Sequence, residues 1–425
     1  MNRDDLQRLS KDELIDLVLK LQRPDKTSRT SSKPPSTDRK ERREQAKPGG
    51  AKPGHEGHSR KLCEAPDAFE DHAPTHCLHC LEAFGADAER ELIGEYDEIE
   101  LPRVQPFVRR HRRFAVCCPH CRKRTSAPLP AAAQGTPFGP RTHALAIYLK
   151  TRHALPYERL QQVFLDLFGL TISQGALMNM FARTARAFEE KKGQALAVLR
   201  KASFVASDET GVRIEGVNAF HWVFCCKGAV VHMADLARSA EVVRKTMDGH
   251  RPNVWTSDRY SAQQRHGALH QTCLAHLARD VAYGLEASED KVSFRLKLWF
   301  DRVFILADNL AGMAQSTLRA KRRELERQID DILATSTTCS IASELIAKIA
   351  RARDQLLVFC SFPGEVEPTN NGCERALRPA VIQRKVTNGY RAMWAAEYEM
   401  AVRSAVDTAR LAGAGSFQTI LQIVA

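Results

Sequence analysis

The sequence predicts a multidomain α+β protein in which a mixed α/β core is joined to several helical units. Residues 199–283 contain short apolar runs that are typical of buried strands. Residues 127–198 and 284–362 instead repeat apolar side chains at the spacing of amphipathic helices. The first 126 residues combine a segment poor in large apolar side chains with two C-x-x-C pairs. These observations predict an N-terminal helix and linker, a small zinc-binding module, and then the larger folded part of the chain.

The composition narrows the classes of function. The chain has 425 residues, 43% of them apolar, and a net charge of +12, which favours a polyanionic partner. It has no run of about 18 apolar residues, so we expect no membrane span. The polar start lacks a signal core, so we expect a cytoplasmic protein. In that reducing compartment, paired cysteines more often bind metal than form disulfides.

Two segments precede the folded part. Residues 1–22 are predicted to form a leucine-rich helix, which either packs on its own protein or forms a coiled-coil seam. The repeating leucines are Leu6, Leu9, Leu14, Leu17 and Leu21. Residues 23–61 lack aromatic residues and carry twelve Lys/Arg against five Asp/Glu. Their composition predicts a disordered basic linker, which acts as a tether or also contacts phosphates.

Residues 62–126 are predicted to form a small zinc-binding module. Cys77 and Cys80 form one C-x-x-C pair, and Cys118 and Cys121 form the other. Two such pairs make a tetrahedral Zn²⁺ site when they meet, although two separate thiol pairs remain the alternative. The 37 intervening residues exceed the usual spacing of about 15–20, so we expect strands at 98–102 and 107–116 to close the gap. Cys117 competes with its neighbour as a ligand.

Positive charge is concentrated around the second C-x-x-C pair. Residues 103–124 carry eight Lys/Arg and no acidic residue. A basic stretch of this kind is typical of a module that holds DNA.

Residues 127–198 are predicted to be a helical DNA-binding domain. A helix over 157–168, a turn at Gly169 and a second helix starting at 174, capped by Ser173, give the helix-turn-helix outline. The same outline also occurs in helical domains that do not touch DNA.

Residues 199–283 are predicted to be the first part of an α/β core. We expect strands at 203–207, 212–215, 219–226 and 229–233, a helix at 241–247, and a strand at 253–257, with one more at 268–274. Three strands, a helix and a fourth strand match the order of the ribonuclease H fold, in which the first and fourth strands are neighbours. Residues 284–362 are interpreted as a helical insertion, and residues 363–425 as the helical last part of the core.

Three acidic residues stand where such a core could bring them together. Asp208 and Asp258 each end an apolar run, and Glu374 follows a Pro-Thr-Asn-Asn stretch that favours a helix start. Carboxylate oxygens suit Mg²⁺, and two metal ions about 3.5–4 Å apart can clamp both oxygens of a phosphoryl displacement. Nearby acids compete for these roles: Glu209, Glu365 and Glu367. Because neighbours on a strand point to opposite faces, only one of Asp208 and Glu209 should face the metals.

The sequence leaves two alternative roles for each of the basic residues near these acids. Arg375 and Arg378 either hold phosphates or pair with Glu374. His276 and Arg279 lie one turn apart if their segment is helical, and there they either support the fold or take part in catalysis. Pro379 is expected to kink or end the helix that carries Glu374 within two turns.

Taken in order, the motifs resemble those of the insertion sequence 66 family, in the DDE class of bacterial DNA transposases. The resemblance covers nearly the whole chain. Its motifs are Ser32-Lys-Pro-Pro-Ser-Thr-Asp38, the two C-x-x-C pairs, Ser207-Asp-Glu-Thr-Gly211, Ser257-Asp-Arg-Tyr260, Cys273-Leu-Ala-His-Leu-Ala-Arg279, Asn370-Asn-Gly-Cys-Glu-Arg-Ala-Leu-Arg-Pro379 and Gln383-Arg-Lys385.

The resemblance implies a function and a set of partners. It implies that Asp208, Asp258 and Glu374 bind Mg²⁺ or Mn²⁺, and that the protein cleaves transposon ends and transfers them into target DNA. The implied partners are double-stranded DNA, further copies of the chain and accessory proteins of the same element, in a cytoplasmic, nucleoid-associated setting. Two alternatives are a zinc-containing DNA-binding regulator without catalysis and a nuclease without strand transfer.

Overall fold

The structure is a computed structural model that describes residues 10–11, 13–14, 17–18, 23–27, 30, 54–57, 60–102, 104–130, 135–288 and 290–425. The leucine-rich helix predicted for residues 1–22 and the linker predicted for 23–61 lie largely outside these residues. Within the first of them, residues 11, 13–14 and 17–18 are helical. The described part of the chain contains no helix with the length and apolar character needed to cross a membrane.

The region with the C-x-x-C pairs contains one short antiparallel hairpin. Strands β1 (Ala115–Cys117) and β2 (Arg124–Ser126) enclose the second pair. The strand predicted at 98–102 does not form, and the one predicted at 107–116 is reduced to its end. Leu101 is 85% exposed and Phe107 is 84% exposed, so their apolar pattern has no surface to pack against. No strand pairing therefore joins the two C-x-x-C turns within the described residues.

Three helices follow: α1 (Pro140–Thr151), α2 (Tyr157–Phe168) and α3 (Gln174–Leu199). The predicted bounds of α2 are confirmed, as is its end at Gly169, which has a left-handed φ of 61°. Ser173 caps α3 by accepting a 3.1 Å hydrogen bond from the backbone N–H of Ala176. Apolar side chains of these helices form one core with those of α10 (Met393–Leu411) and α11 (Ser416–Val424). The helix-turn-helix outline is therefore packed against the C-terminal helices.

A five-stranded sheet forms the centre of the protein. Its strands are β3 (Phe204–Ile214), β4 (Val217–Cys226), β5 (Ala229–Asp235), β6 (Val254–Ser257) and β7 (Leu269–Thr272). Helix α4 (Ala240–Met247) connects β5 to β6. The strand order is β5-β4-β3-β6-β7, with β3, β4 and β5 antiparallel and β6 and β7 parallel to β3. The predicted adjacency of the first strand and the strand before Asp258 is confirmed.

One sequence prediction about the sheet is wrong. The strands expected at 203–207 and 212–215 are a single strand, β3, which continues through the polar residues between them. Strand β4 pairs with β3 along this whole stretch, from Ala206 to Ile214, and its ladder of hydrogen bonds supports the polar segment. Asp208 therefore lies inside a strand and not at its end, whereas Asp258 directly follows β6.

The remaining helices lie beside the β7 edge and over the sheet. Helices α5 (Leu274–Ala287), α6 (Lys291–Asp308), α7 (Gln315–Leu333) and α8 (Ser340–Ala350) contribute to a second apolar core. Helix α9 (Asn371–Thr387) contains Pro379 and continues past it for eight residues, so the expected early end of this helix is wrong. Proline removes the hydrogen bond to the carbonyl four residues earlier, which belongs to exposed Arg375.

Candidate active site

Asp208 and Asp258 lie at the same level of two neighbouring parallel strands. The register pairs Ala206 of β3 with Thr256 of β6, and each acid stands two residues beyond its paired residue. Since β6 ends at Ser257, β3 has a strand neighbour on one side only from this level onward. The two acids therefore stand at the same level, where the sheet opens.

Local hydrogen bonds fix the segment that carries Asp258. Its Oδ1 accepts a 2.9 Å hydrogen bond from the backbone N–H of Tyr260. Its backbone carbonyl accepts hydrogen bonds from the hydroxyl of Ser257 at 2.9 Å and from the amide of Gln264 at 3.1 Å. The turn after β6 is thus held by its own side chains, as is common for an Asp that follows a strand.

Glu374 reaches the same region from the first turn of α9. Asn370, at the N-cap of this helix, is 2% exposed, and its side-chain amide donates a 2.8 Å hydrogen bond to the carbonyl of Ser207. The backbone N–H of Asn370 lies 3.2 Å from Sγ of Cys273, at the start of α5. The start of α9 is therefore attached both to β3, beside Asp208, and to α5.

The electrostatics of Asp208 show that the predicted acids influence one another. Burial raises its pKa most, and the charges of Glu209, Asp258 and Glu374 add to the shift, bringing the pKa to about 8. The oxygens of Asp208, Asp258 and Glu374 do not all lie within 4.8 Å of one another among the described residues. A cation bound between these carboxylates would compensate their negative charge at Asp208.

Glu209, the acid that competes with Asp208, already has partners within the protein for its carboxylate. Its side chain is 2% exposed, and Oε1 accepts a 2.7 Å hydrogen bond from Nε of Arg238, whose Nη2 lies 2.6 Å away in the same ion pair. Its Oε2 accepts from the amide of Gln263, whose own oxygen accepts from the hydroxyl of Ser207. Both oxygens of Glu209 are thus used within the protein. Glu365 and Glu367 are exposed, and neither is among the main causes of the raised pKa of Asp208.

Helix α5 supplies the basic neighbours of Glu374. Nε2 of His276 lies 3.9 Å and Nη2 of Arg279 lies 3.7 Å from Oε1 of Glu374. Burial and the charge of Arg279 lower the pKa of His276, which favours its neutral form. The predicted helical spacing of His276 and Arg279 is confirmed. Arg375 and Arg378 are exposed, and the described residues include no ion pair between Glu374 and either of them.

Sequence reasoning missed part of this arrangement. Gln263 lies in a single 3₁₀ turn, and its link between Ser207 and Glu209 had no sequence signal. Arg238 lies in the connection between β5 and α4, where no motif marks it. Asn370 belongs to the stretch that favours a helix start, but its hydrogen bond to β3 depends on tertiary packing.

One group of potential metal ligands is compact in the described part of the chain. Atoms of Cys273, His276 and Glu374 all lie within 4.8 Å of one another. Cys273 is buried, and burial raises the pKa of its thiol, so the protonated form is favoured. Cys77, Cys80, Cys118 and Cys121 do not form such a group, and the two C-x-x-C turns remain apart.

The two C-x-x-C turns nevertheless have the same backbone geometry. The N–H of Cys77 donates to the carbonyl of Glu82 at 2.8 Å, and the N–H of Cys118 donates to that of Lys123 at 2.9 Å. The residue after each pair, Leu81 or Arg122, has a positive φ of 62° or 56°.

Backbone N–H groups in each turn also point at the first sulfur. Those of Cys80 and His79 lower the pKa of Cys77, and those of Cys121 and His120 lower the pKa of Cys118. Cys118, and not Cys117, therefore occupies the position equivalent to Cys77.

Comparison with known protein families gives a match over the core of the chain. The profile of the family described as Transposase IS66 family matches residues 135–398, which is more than half of the chain. The match runs from just before α1 into α10 and includes Asp208, Asp258 and Glu374. A search among curated proteins found no match to the chain. The chain belongs to the IS66 family of transposases.

Proposed function

We propose that this transposase is a DDE-type enzyme that cleaves the ends of its element and joins them to target DNA, with Asp208, Asp258 and Glu374 as the metal-binding acids. The observation that carries the proposal is the common level of Asp208 and Asp258 on adjacent parallel strands, with Glu374 brought to Asp208 by the bond between Asn370 and Ser207. Family membership implies that DNA is the substrate.

The strand order supports assignment of the sheet to the ribonuclease H-like fold. Three antiparallel strands, a helix and two further strands parallel to the first agree with the order expected from the sequence. On this interpretation residues 284–362, which include α6 to α8, are a helical insertion that separates Asp258 from Glu374 along the chain, and α9 returns to the sheet. The domain boundaries expected from the sequence belong to the same proposal.

The donor set fits a hard divalent cation. Three carboxylates suit Mg²⁺ or Mn²⁺, and the pKa of Asp208 is raised first by burial and then by neighbouring carboxylates, whose charge a cation would compensate. Two metal ions about 3.5–4 Å apart do not share all of their ligands. The oxygens of Asp208, Asp258 and Glu374 do not all lie within 4.8 Å of one another, which agrees with ligands divided between two ions. When bound, the metal would activate the attacking oxygen and stabilise the leaving 3′-oxygen.

The chain's own residues then position the reactants. In cleavage, the oxygen of water bonds to phosphorus, the bond from phosphorus to the 3′-oxygen breaks, and that oxygen leaves as a 3′-hydroxyl. In joining, this hydroxyl attacks a phosphodiester of the target, whose own 3′-oxygen leaves in turn. No side chain acts as nucleophile, so the work is orientation and charge stabilisation. His276 and Arg279 lie beside the carboxylate of Glu374, and the backbone N–H of Tyr260 donates a hydrogen bond to that of Asp258.

The same proposal includes a zinc module and DNA contacts N-terminal to the core. Cys77, Cys80, Cys118 and Cys121 are proposed to hold one Zn²⁺ once the two matching turns meet. The basic stretch 103–124 and the helix-turn-helix outline of α2 and α3 are proposed to contact DNA.

An end-cleavage assay tests this function. Purified wild type, Asp258→Asn and the control Asp308→Asn, which changes an exposed residue at the end of α6, are incubated with an end duplex in Mg²⁺ or EDTA. We expect cleaved and joined products from wild type and the control only in Mg²⁺, and neither product from Asp258→Asn. Cleavage by Asp258→Asn at the wild-type rate would overturn the proposed site. Wild-type cleavage without joining would identify a nuclease, and DNA binding without cleavage would identify a regulator.

A further inference from the structure

Arg238 is fixed beside the candidate active site although no motif marks it. Nε of its guanidinium donates a 2.7 Å hydrogen bond to Oε1 of Glu209, the residue next to Asp208, and Nη2 lies 2.6 Å from the same oxygen in an ion pair. Its guanidinium carbon lies 3.9 Å from the centre of the Tyr260 ring and 5.9 Å from that of Phe220. An ion pair on one side and an aromatic ring on another restrict the orientation of this cation.

Tyr260 connects Arg238 to the second acid. Its hydroxyl donates a 2.7 Å hydrogen bond to the backbone carbonyl of Arg238, and its backbone N–H donates to Oδ1 of Asp258. Glu209 makes the corresponding connection to Asp208, because the two residues are adjacent on β3. Arg238 is therefore linked by one residue to each of Asp208 and Asp258.

The guanidinium keeps donors for a further partner. The Arg238 side chain is 43% exposed, although its ion pair and the tyrosine ring hold it in place. No hydrogen bond within the described residues uses its Nη1. An arginine has five N–H donors, and the ion pair with Glu209 involves only Nε and Nη2. A fixed, half-exposed guanidinium with unused donors is suited to a phosphate oxygen.

We propose that Arg238 binds a phosphate of the DNA strand that enters the active site, next to the phosphate that is cleaved, and that Glu209 and Tyr260 hold its guanidinium in place for this contact. The inference rests on the proposed function, because it assumes that Asp208 and Asp258 mark the reacting phosphate. The ligand class is a DNA phosphodiester, which is recognised by charge and geometry and not by base sequence.

The alternative role for Arg238 is purely internal. Glu209 is buried, burial raises its pKa, and the hydrogen bond from Arg238 opposes that shift. Arg238 could therefore serve only to neutralise this carboxylate. In that case, removal of both charges in Glu209→Gln/Arg238→Gln would restore function, because no unpaired buried charge would remain. A phosphate contact predicts instead that the double variant stays defective.

The test measures DNA binding and cleavage separately. The probe is a fluorescent duplex with the terminal sequence of the element, and its Kd is measured in EDTA from 50 to 200 mM KCl. The variants are Arg238→Gln, Arg238→Lys, Glu209→Gln/Arg238→Gln and the control Arg244→Gln, which removes an exposed arginine on α4. Cleavage in Mg²⁺ is measured on the same duplex, and thermal melting verifies that each variant is folded.

Loss of one phosphate contact should lower the slope of log Kd against log salt by about 0.9. We expect this loss, with a roughly 10- to 100-fold fall in kcat/KM, for Arg238→Gln and for the double variant. Arg238→Lys should keep most of the slope and regain part of the cleavage, and Arg244→Gln should match wild type.

Two results would overturn the inference. One is a double variant with wild-type slope and cleavage, and the other is an unchanged slope in Arg238→Gln. Either can occur while wild type still cleaves in Mg²⁺, which leaves the proposed function intact. Failure of the wild-type protein to cleave the duplex would instead contradict the proposed function.

Discussion

The side-chain amide of Asn370 donates a 2.8 Å hydrogen bond to the backbone carbonyl of Ser207. Ser207 immediately precedes Asp208 on β3, and Asn370 is the N-cap of the helix that carries Glu374. The two residues are separated by 163 positions in the chain, so the contact joins distant segments. This buried amide therefore helps to fix the relative position of Asp208 and Glu374.

Asn370→Ala should slow end cleavage more than it destabilises the protein. Removing the bond leaves the carbonyl of Ser207 without this donor, at a cost of about 1–3 kcal/mol. Because a displacement of about 1 Å can cost 10²-fold in rate, we expect kcat to fall roughly 10- to 100-fold. The matched control is Asn371→Ala, at the exposed neighbouring position. A kcat of Asn370→Ala equal to that of Asn371→Ala would show that the amide does not position Glu374.

Asp208→Asn should stabilise the metal-free protein and abolish its response to Mg²⁺. The pKa of Asp208 is raised to about 8 by burial and by neighbouring acids, so near pH 7 the folded state must take up a proton that the unfolded state does not bind. An amide avoids this cost, and the melting temperature in EDTA should rise. In wild type, Mg²⁺ at ten times its Kd should stabilise the folded state by about 1.4 kcal/mol.

Differential scanning fluorimetry with and without Mg²⁺ measures both effects. Wild type and Asp308→Asn should gain about 1–3 °C with Mg²⁺, and Asp208→Asn should gain nothing. An equal gain in all three proteins would place the bound cation elsewhere.

The sequence was most informative where local chemistry determines structure. Helix α2, its end at Gly169 and the cap by Ser173 follow from apolar spacing and from single residues, and all three predictions are confirmed. Strand β3 shows the opposite case. The polar stretch around Asp208 predicts a break between two strands. Pairing with β4, which lies later in the chain, keeps this stretch extended.

The residues of the candidate site also fall into two groups: those that the local sequence identifies and those that only tertiary contacts place. Asp208, Asp258 and Glu374 stood out because each has a distinctive local context in the sequence. Gln263 and Arg238 acquire their roles only through contacts across the sheet opening, which no local pattern encodes. Sequence spacing also could not decide between Cys117 and Cys118, whereas the backbone geometry of the two turns distinguishes them.

Cys118→Ser should remove zinc, and Cys117→Ser should not. The N–H groups of Cys121 and His120 lower the pKa of Cys118, which favours the thiolate that binds zinc. The thiol of Cys117 instead lies 3.8 Å from the carbonyl of Arg122, toward which it donates. Metal analysis of purified protein should find about one equivalent of zinc in wild type and in Cys117→Ser. Full zinc content in Cys118→Ser would contradict the assignment.

Acid should destabilise the protein through two buried histidines. Nε2 of His221 lies 2.8 Å from Nδ1 of His232, whose Nε2 lies 3.1 Å from Oδ2 of Asp407. Burial lowers the pKa of both histidines, so both are neutral when folded, whereas the unfolded chain binds protons near pH 6.5. The unfolded state therefore takes up more protons as the pH falls below about 6.5, and each histidine should cost up to about 1.4 kcal/mol per pH unit. Melting temperatures between pH 7.5 and 5 should fall less steeply for His221→Gln than for wild type, and exposed His153→Gln should follow wild type. Equal slopes in all three proteins would mean that His221 is not a source of the acid sensitivity.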